Sequence, residues 1–466
     1  MSQDDLSRHG KIVAEIADEV AVCHRENIQI RIYHGGTNST RLSDSGSARQ
    51  IDTSMLNRVI SINVEDLFAL VEPNVSMDVL VDETMKYDLI PPVVMEFPKI
   101  TVGGGVQGGA GESSSFKYGL FHEICEDYEM ILGNGEIMHA SATENPDLYH
   151  GTACSYGTLG IITLIKVRLI PAKKYVRLTY HQTKSLKEAI EVVGHEARGG
   201  SDFLDGIIFR PDFGVVMTGV FSDKVDLPER TFSKRSDEWF YLHAQKVSSG
   251  GASYEEIIPL REYLFRYDQA TFWSAKYVFR RFRIPSIKIL RTFFNPLLSA
   301  KRLYRVLHET GIAQQYIVQD IDVPEAVAAS FLDFLDTTVH IYPLWLCPLR
   351  TDKHAPLSST FLNADLVMNI GVWGEAKHDF SDFLKTNRSL ETYTTNIGGR
   401  KILYAHAYYP EDEFWNVYDK SWYDALRKKY KADKTFPNIY EKVFVSKRYQ
   451  PAVFKGLMRL LRKKVS

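Results

Sequence analysis

Cysteine is scarce: four residues in 466, at positions 23, 125, 154 and 347, with no CxxC pair. Such spacing excludes a zinc ribbon and a disulfide scaffold, and it suits a reducing compartment. His122 and Cys125 stand three apart, but no second ligand pair follows, so no metal site is expected. Nowhere does an apolar run reach the roughly 18 residues that a membrane helix needs, so no transmembrane helix is expected. The first ten residues are polar and an amphipathic stretch follows, so the chain reads as not secreted. Without a signal peptide the three sequons at Asn38, Asn74 and Asn387 carry no weight. Glycine and proline together make 48 residues, about a tenth, which excludes collagen and low-complexity classes. No charge sign dominates either, with 56 Lys+Arg against 58 Asp+Glu, so a dedicated nucleic-acid binder is not expected.

Aromatic residues are plentiful, with 25 Tyr, 25 Phe and 6 Trp. The length suggests two or three domains. Apolar spacing predicts a helix over 9–26, with Ile12, Val13, Ile16 and Val20 on one face, and a second over 76–88. Short strands are predicted at 28–33, 59–62, 67–71, 100–102, 129–132 and 161–170, with a hairpin turn at Gly133-Asn134-Gly135. Beyond Lys174 the texture changes. Helices at 186–196, 299–310, 324–337 and 378–387 alternate there with strands at 206–209, 213–220, 316–323, 338–345, 366–373 and 401–408. No internal repeat is visible. The stretch 413–443 is helical and aromatic, and a basic tail follows.

The strongest chemical signal lies at 101–115. Six glycines occupy the nine positions 103–111, and Ser113, Ser114 and Ser115 follow. Glycines so dense let backbone N–H groups approach a diphosphate, and the serines add neutral donors. Gly103, Gly105 and Gly108 match GxGxxG, but the following stretch is too rich in Gly and Ser to open the helix that fingerprint requires.

Longer motifs go further. "HGGTNS", "VEPNVSM", "TVGGGVQGGAGESSSFKYG" and "NPDLYHGTACSYGTLGIIT" occur in that order. Together they resemble the FAD domain of the vanillyl-alcohol oxidase / p-cresol methylhydroxylase superfamily. "LIPAKKY", "REYLFRYDQATFW", "VQDIDVP", "HIYPLWLCP" and "LYAHAYYPEDEFW" resemble its Δ24-sterol reductase (diminuto-like) branch. The resemblance runs from about residue 9 to residue 445 and implies an α+β fold, an FAD-binding domain joined to a substrate (cap) domain. The expected division is 1–174 for FAD, 175–412 for substrate, 413–445 as a helical segment returning to the FAD domain, and 446–466 as a basic amphipathic tail. Cofactor contacts are implied at Gly35, Gly36, Thr37, Asn38 and Ser39. They continue along Thr101, Val102, Gly103, Gly104, Gly105, Gly108, Gly109, Gly111, Glu112 and Ser113, and recur at Gly157, Gly160 and Ile161. Some superfamily members tether FAD through a His in the first loop. Thr37 and Asn38 stand there in this chain, so non-covalent FAD is expected. The hydrophobic segment with which the sterol reductases typically begin is absent from this sequence.

The resemblance implies that NADPH or NADH reduces FAD, and that hydride then reaches one carbon of an isolated side-chain alkene. The other carbon needs a proton from a strong acid held in a dry pocket. Strand spacing places His340 with Tyr342, Asp320 with Asp322, and Tyr404 with His406 on shared faces. The proton donors expected are His340, Tyr342, Asp320 and Glu375, with Asp320 and Asp322 alternatively serving as a helix cap before Pro324. The aromatic side chains of the second domain suit a sterol or another apolar small molecule. The alternatives are an oxidase or dehydrogenase of the same superfamily acting on a CH–OH or CH–NH group, and a lipid-binding flavoprotein without catalysis.

The neutral total conceals an asymmetry. Residues 269–308 hold nine Lys/Arg and residues 446–466 hold seven, neither with an acid, leaving the other 405 residues 40 basic against 58 acidic groups. Basic stretches interleaved with Phe and Leu suit an anionic membrane surface, so a cytoplasmic protein peripheral at the endoplasmic reticulum membrane is expected.

Overall fold

The structure, a computed structural model, describes the chain apart from residues 1–2, 36–38, 43–45, 47, 252, 377–378, 454–455 and 457–466. Helix Gln3–Arg25 starts with Asp4 and Asp5 and ends with His24 and Arg25, charges that complement its dipole. Val13, Ile16, Val20 and Cys23 bury one face of it. A parallel pair, Ile30–Tyr33 with Arg49–Asp52, brackets the first glycine loop. An antiparallel sheet of five strands follows in the order Val59–Asn63, Phe68–Val71, Ile161–Arg168, Cys125–Ile131, Ile137–Ser141. The predicted hairpin forms, with Ile131 opposite Ile137 and the Leu132 N–H donating to the Glu136 carbonyl at 2.8 Å. A Cβ on Gly133 would lie 1.9 Å from the Lys431 carbonyl, so glycine there admits the C-terminal segment.

A second antiparallel sheet has eight strands, in the order Tyr254–Pro259, Tyr175–Thr183, Phe213–Ser222, Phe203–Arg210, Leu344–Arg350, Leu366–Glu375, Tyr316–Pro324, Arg400–Lys401. It is built from two units of like topology. Tyr175–Thr183, helix Leu186–Ala197, Phe203–Arg210 and Phe213–Ser222 form the first. Tyr316–Pro324, helix Glu325–Phe334, Leu344–Arg350 and Leu366–Glu375 form the second. The units join where Gly206, Ile207 and Ile208 pair with Leu346, Trp345 and Leu344. The sequence shows no repeat because the likeness lies in element order alone. One sheet face packs under the two helices through Leu204, Ile208, Phe331, Leu332, Leu346 and Ile370. The opposite face carries Trp345, Cys347 and Trp373 into the core shared with the five-stranded sheet.

Four predicted elements differ. The strand expected at 100–102 is a single bridge from Thr101 to Ser76, because Thr101 caps helix Val102–Gly108. The strand expected at 338–345 begins at Leu344, after a π-helical turn Leu335–Val339, since Pro343 cannot donate to a ladder. Of 401–408 only Lys401 lies in a strand, Arg400–Lys401. Side chains satisfy several of the carbonyls that follow: Arg41 reaches those of Leu403 and Ala405, and Gln319 and Lys401 reach that of His406. The helix expected at 378–387 runs Phe380–Asn396. Strands Tyr175–Thr183 and Tyr254–Pro259 went unpredicted, although Val176, Leu178 and Tyr180 alternate inward.

Candidate active site

Thr101 Oγ1 accepts from the Gly104 N–H at 3.2 Å and starts the short helix Val102–Gly108, which ends at Gly109 with φ +65°. The glycine run is therefore largely helix rather than loop, and its glycines divide by surroundings. A Cβ on Gly103 would lie 2.7 Å from Pro73 Cβ, and one on Gly105 would lie 2.6 Å from Met95 Cε. Gly109 faces Cys154 and Gly111 faces Leu120 just as closely, whereas Gly108 meets nothing within 4 Å. Val102, Gly105 and Gly109 are buried, while Gly104 is exposed. Gly160 abuts the Ile131 carbonyl and Ile161 pairs with Ile131, so Ile161 opens a strand of the five-stranded sheet and Gly160 lies at its edge.

Beside Gly108 stand cations with no acid paired to them among the described residues. The Tyr156 hydroxyl donates to the Gly108 carbonyl at 3.1 Å, and the Arg41 guanidinium lies 5.9 Å from the Tyr156 ring centre. Lys442 Nζ would sit 3.3 Å from a Cβ on Gly157, whose φ is +72°. Burial first, then Arg31 and Arg41, pushes the Lys442 ammonium down to about 7. His34 is lowered by burial and by Lys442, and its Nδ1 is buried without a partner. Burial brings even Arg41 down to about 10. A diphosphate, with two negative charges, is the counter-ion this set lacks, so the residues fit FAD. Gly35 has φ +86°, and Ser39 Oγ donates to the Tyr404 carbonyl at 2.8 Å. Gly36, Thr37 and Asn38 lie outside the described residues.

The far end of the glycine run meets the second sheet, where the Leu204 N–H donates to the Ser113 carbonyl at 2.7 Å. Glu112 is buried, accepts from Ser113 Oγ at 2.7 Å, and stands 3.5 Å from Arg266. Arg266 is fully buried, donates to Asp205 at 2.9 Å, and has its Nε unpartnered. Tyr267 and Trp345 Nε1 also donate to Asp205, at 2.5 and 3.1 Å. Asp320 accepts from the Tyr404 hydroxyl at 2.8 Å and from Trp373 Nε1 at 3.1 Å. Burial raises Asp320 to about 6, Glu112 to about 7, and Glu96 to about 8. Glu112 and Asp320 add to the Glu96 shift through like charge. Phe272 stacks on Tyr267 at 4.2 Å and lies 5.1 Å from both Trp345 and Trp373, and Phe97 closes the group at 5.7 Å from Phe272. The result is a packed aromatic cluster around carboxyl groups whose pKa values burial raises toward or above neutral pH.

Of the four residues expected to donate protons, only Asp320 reaches this cluster. His340 is exposed, with φ 54°, and is not on a strand. The Tyr342 hydroxyl donates to Asp336 at 2.9 Å, and its ring packs with the opposite sheet face. Glu375 pairs with Arg280 at the strand end. Asp322 accepts from Asn369 Nδ2 at 2.6 Å, and neither it nor Asp320 caps helix Glu325–Phe334. The His406 ring packs near Phe383 and Tyr408, away from Tyr404, and burial lowers it to about 3. His122, Glu123 and Asp352 also come together, but His122 pairs with Asp352 at 2.7 Å and Glu123 is taken up by Leu120 N–H and Arg350. Glu96, Asp205 and Arg266 escaped sequence reasoning. Their signal was a lone charge inside an apolar or aromatic run, as in PPVVMEFP and FLDGIIF.

Comparison with known proteins agrees with this geometry. An FAD binding domain family matches residues 11–141, which defines the class as a flavoprotein that binds FAD. Over 407 residues the chain is 32% identical to the Delta(24)-sterol reductase of Rattus norvegicus, covering 84% of this chain and 77% of that one. The Homo sapiens protein of the same name is 30% identical over 406 residues, with the same coverage. That of Arabidopsis thaliana is 27% identical over 438 residues, covering 84% and 76%. The chain belongs to the Delta(24)-sterol reductase family.

Proposed function

We propose that this protein reduces the side-chain Δ24 double bond of a sterol or sterol-like lipid, with FAD bound non-covalently and NADPH or NADH as reductant. The observation that carries the reading is the cluster of Glu96, Glu112 and Asp320, carboxyl groups with raised pKa among aromatic rings at the far end of the glycine run. A dehydrogenase would need a base there, and a carboxyl held near pKa 8 is an acid at neutral pH. FAD, when bound, supplies the hydride. Arg31, Arg41 and Lys442, with the open backbone at Gly104 and Gly108, hold its diphosphate. Glu96 is partly buried beside Phe97, desolvation and the nearby Glu112 and Asp320 carboxylates hold it toward its protonated form, and it donates that proton to one alkene carbon. Asp320 is the more acidic of the two, steadied by Tyr404 and Trp373, and its charge opposes the positive charge developing on the other carbon. The rings of Phe272, Trp345 and Trp373 exclude water and offer their faces to that charge.

In this reading 1–174 carries FAD, 175–412 carries substrate, and 413–445 returns to the FAD side. Support for the return comes from the Tyr423 hydroxyl on Thr158 at 2.7 Å and Arg427 on the Thr158 carbonyl at 2.6 Å. No described helix is long and apolar enough to cross a membrane, and we place the protein at the cytoplasmic face of the endoplasmic reticulum membrane. The test is anaerobic. NADPH should bleach the flavin and a Δ24-sterol should restore its colour. Glu96→Gln should slow only the second step, by about 10²–10⁴-fold. Bleaching by an alcohol but not by NADPH would sink the reading.

A further inference from the structure

Apolar side chains crowd one exposed stretch. Phe282, Ile287, Ile289, Phe293 and Leu297 are 56, 53, 76, 62 and 48% exposed, which places five of the fourteen exposed large apolar residues of the described chain within sixteen positions. The arrangement is built rather than frayed. In helix Lys288–Phe294, Leu290 and Phe294 pack inward while Ile289 and Phe293, one turn apart, point out. The backbone beneath is pinned to the body. Arg235 donates to the Thr292 carbonyl at 2.8 Å, and Trp239 Nε1 donates to Asn295 Oδ1 at 2.7 Å. Arg281, Arg283 and Lys288 are exposed among these apolar residues, and the whole stretch 269–308 holds no acid.

Rings in contact connect this patch to the buried aromatic cluster. Phe272 touches Trp273 at 5.7 Å, and Trp273 touches Tyr241 at 6.5 Å. Tyr241 stacks with Trp239 at 6.2 Å, Trp239 meets Phe279 at 5.4 Å, and Phe279 meets Phe294 at 5.8 Å, on the inner side of the exposed helix.

We propose that the face formed by Phe282, Ile287, Ile289, Phe293 and Leu297 docks in an anionic lipid bilayer. Docking follows from charge complementarity: apolar side chains enter the acyl region while the arginines and lysines around them meet anionic headgroups. The choice of a bilayer rests in part on the sterol reading above, so vesicle binding is measured without sterol and its outcome stands apart from catalysis.

The full-length flavoprotein is floated with vesicles of phosphatidylcholine alone and of phosphatidylcholine mixed with phosphatidylserine. Binding to the mixed vesicles is expected, with loss of about tenfold or more in Ile289→Asp/Phe293→Asp and again in Arg281→Glu/Lys288→Glu. Both pairs are exposed, so flavin content and turnover of detergent-dispersed sterol should match the parent protein. Turnover of vesicle-borne sterol should fall with binding. Undiminished vesicle binding by either double variant, or equal binding to both vesicle types, overturns the proposal. So does a dimer that Ile289→Asp/Phe293→Asp dissolves, since the face would then belong to a second copy.

Discussion

Lys442 faces Arg31, Arg41 and His34 with no carboxylate near among the described residues, and its proton is held loosely, near pH 7. A folded-state pKa below the unfolded one means that charging Lys442 costs the apoprotein stability as pH falls from about 10 toward 7. Two phosphate charges would reverse that shift. FAD binding to the apoprotein at pH 8 should therefore take up a proton, read by titration calorimetry in buffers of different ionisation enthalpy, and Lys442→Met should abolish the uptake. Asp320 was legible because VQDIDVP sets two acids on an alternating strand. Lys442 was not, because its partners Arg31 and Arg41 lie some four hundred residues away and only the fold assembles them. Glu96 lay between, a lone acid inside an apolar run that composition alone does not distinguish from a surface turn.

The short glycine helix shows what spacing conveys about an element. Its density of glycine announced close approach, and the surroundings reveal two kinds. Gly105 is pressed against Met95 and Phe121, so Gly105→Ala should lower apoprotein stability by about 1–3 kcal/mol, measured by denaturant unfolding. Gly108 meets only open space, so Gly108→Ala should leave apoprotein folding intact and weaken FAD binding, measured by fluorescence quenching. Equal effects of the two substitutions would contradict that division. Strands were legible where a continuous apolar run reaches the ladder, as in 213–220 and 366–373. They were misread at 338–345, where Pro343 delays pairing, and at 401–408, where Arg41, Gln319 and Lys401 occupy the carbonyls a neighbouring strand would have used. Neither interruption leaves a mark in hydrophobic period.

The whole molecule is closed by residues far apart in sequence. Arg427 is buried and donates to the carbonyls of Thr158, Pro437, Ala432 and Phe436, tying the C-terminal segment to the five-stranded sheet. Arg427→Met would strand those carbonyls and should cost roughly 3 kcal/mol, with flavin release and unfolding in one thermal transition. The α+β class was readable from the mix of helical and strand periods. The twofold likeness within the second sheet was not, because it lies in the order of elements. Nor did the charge total of −2 reveal its partition, which only position along the chain exposes. The pinned helix Lys288–Phe294 has a kinetic consequence. An enzyme that works from a lipid surface meets its substrate in two dimensions, so its half-saturation is a mole fraction of the bilayer rather than a molarity. Adding inert lipid at constant total sterol would then slow it, as dilution slows a soluble enzyme.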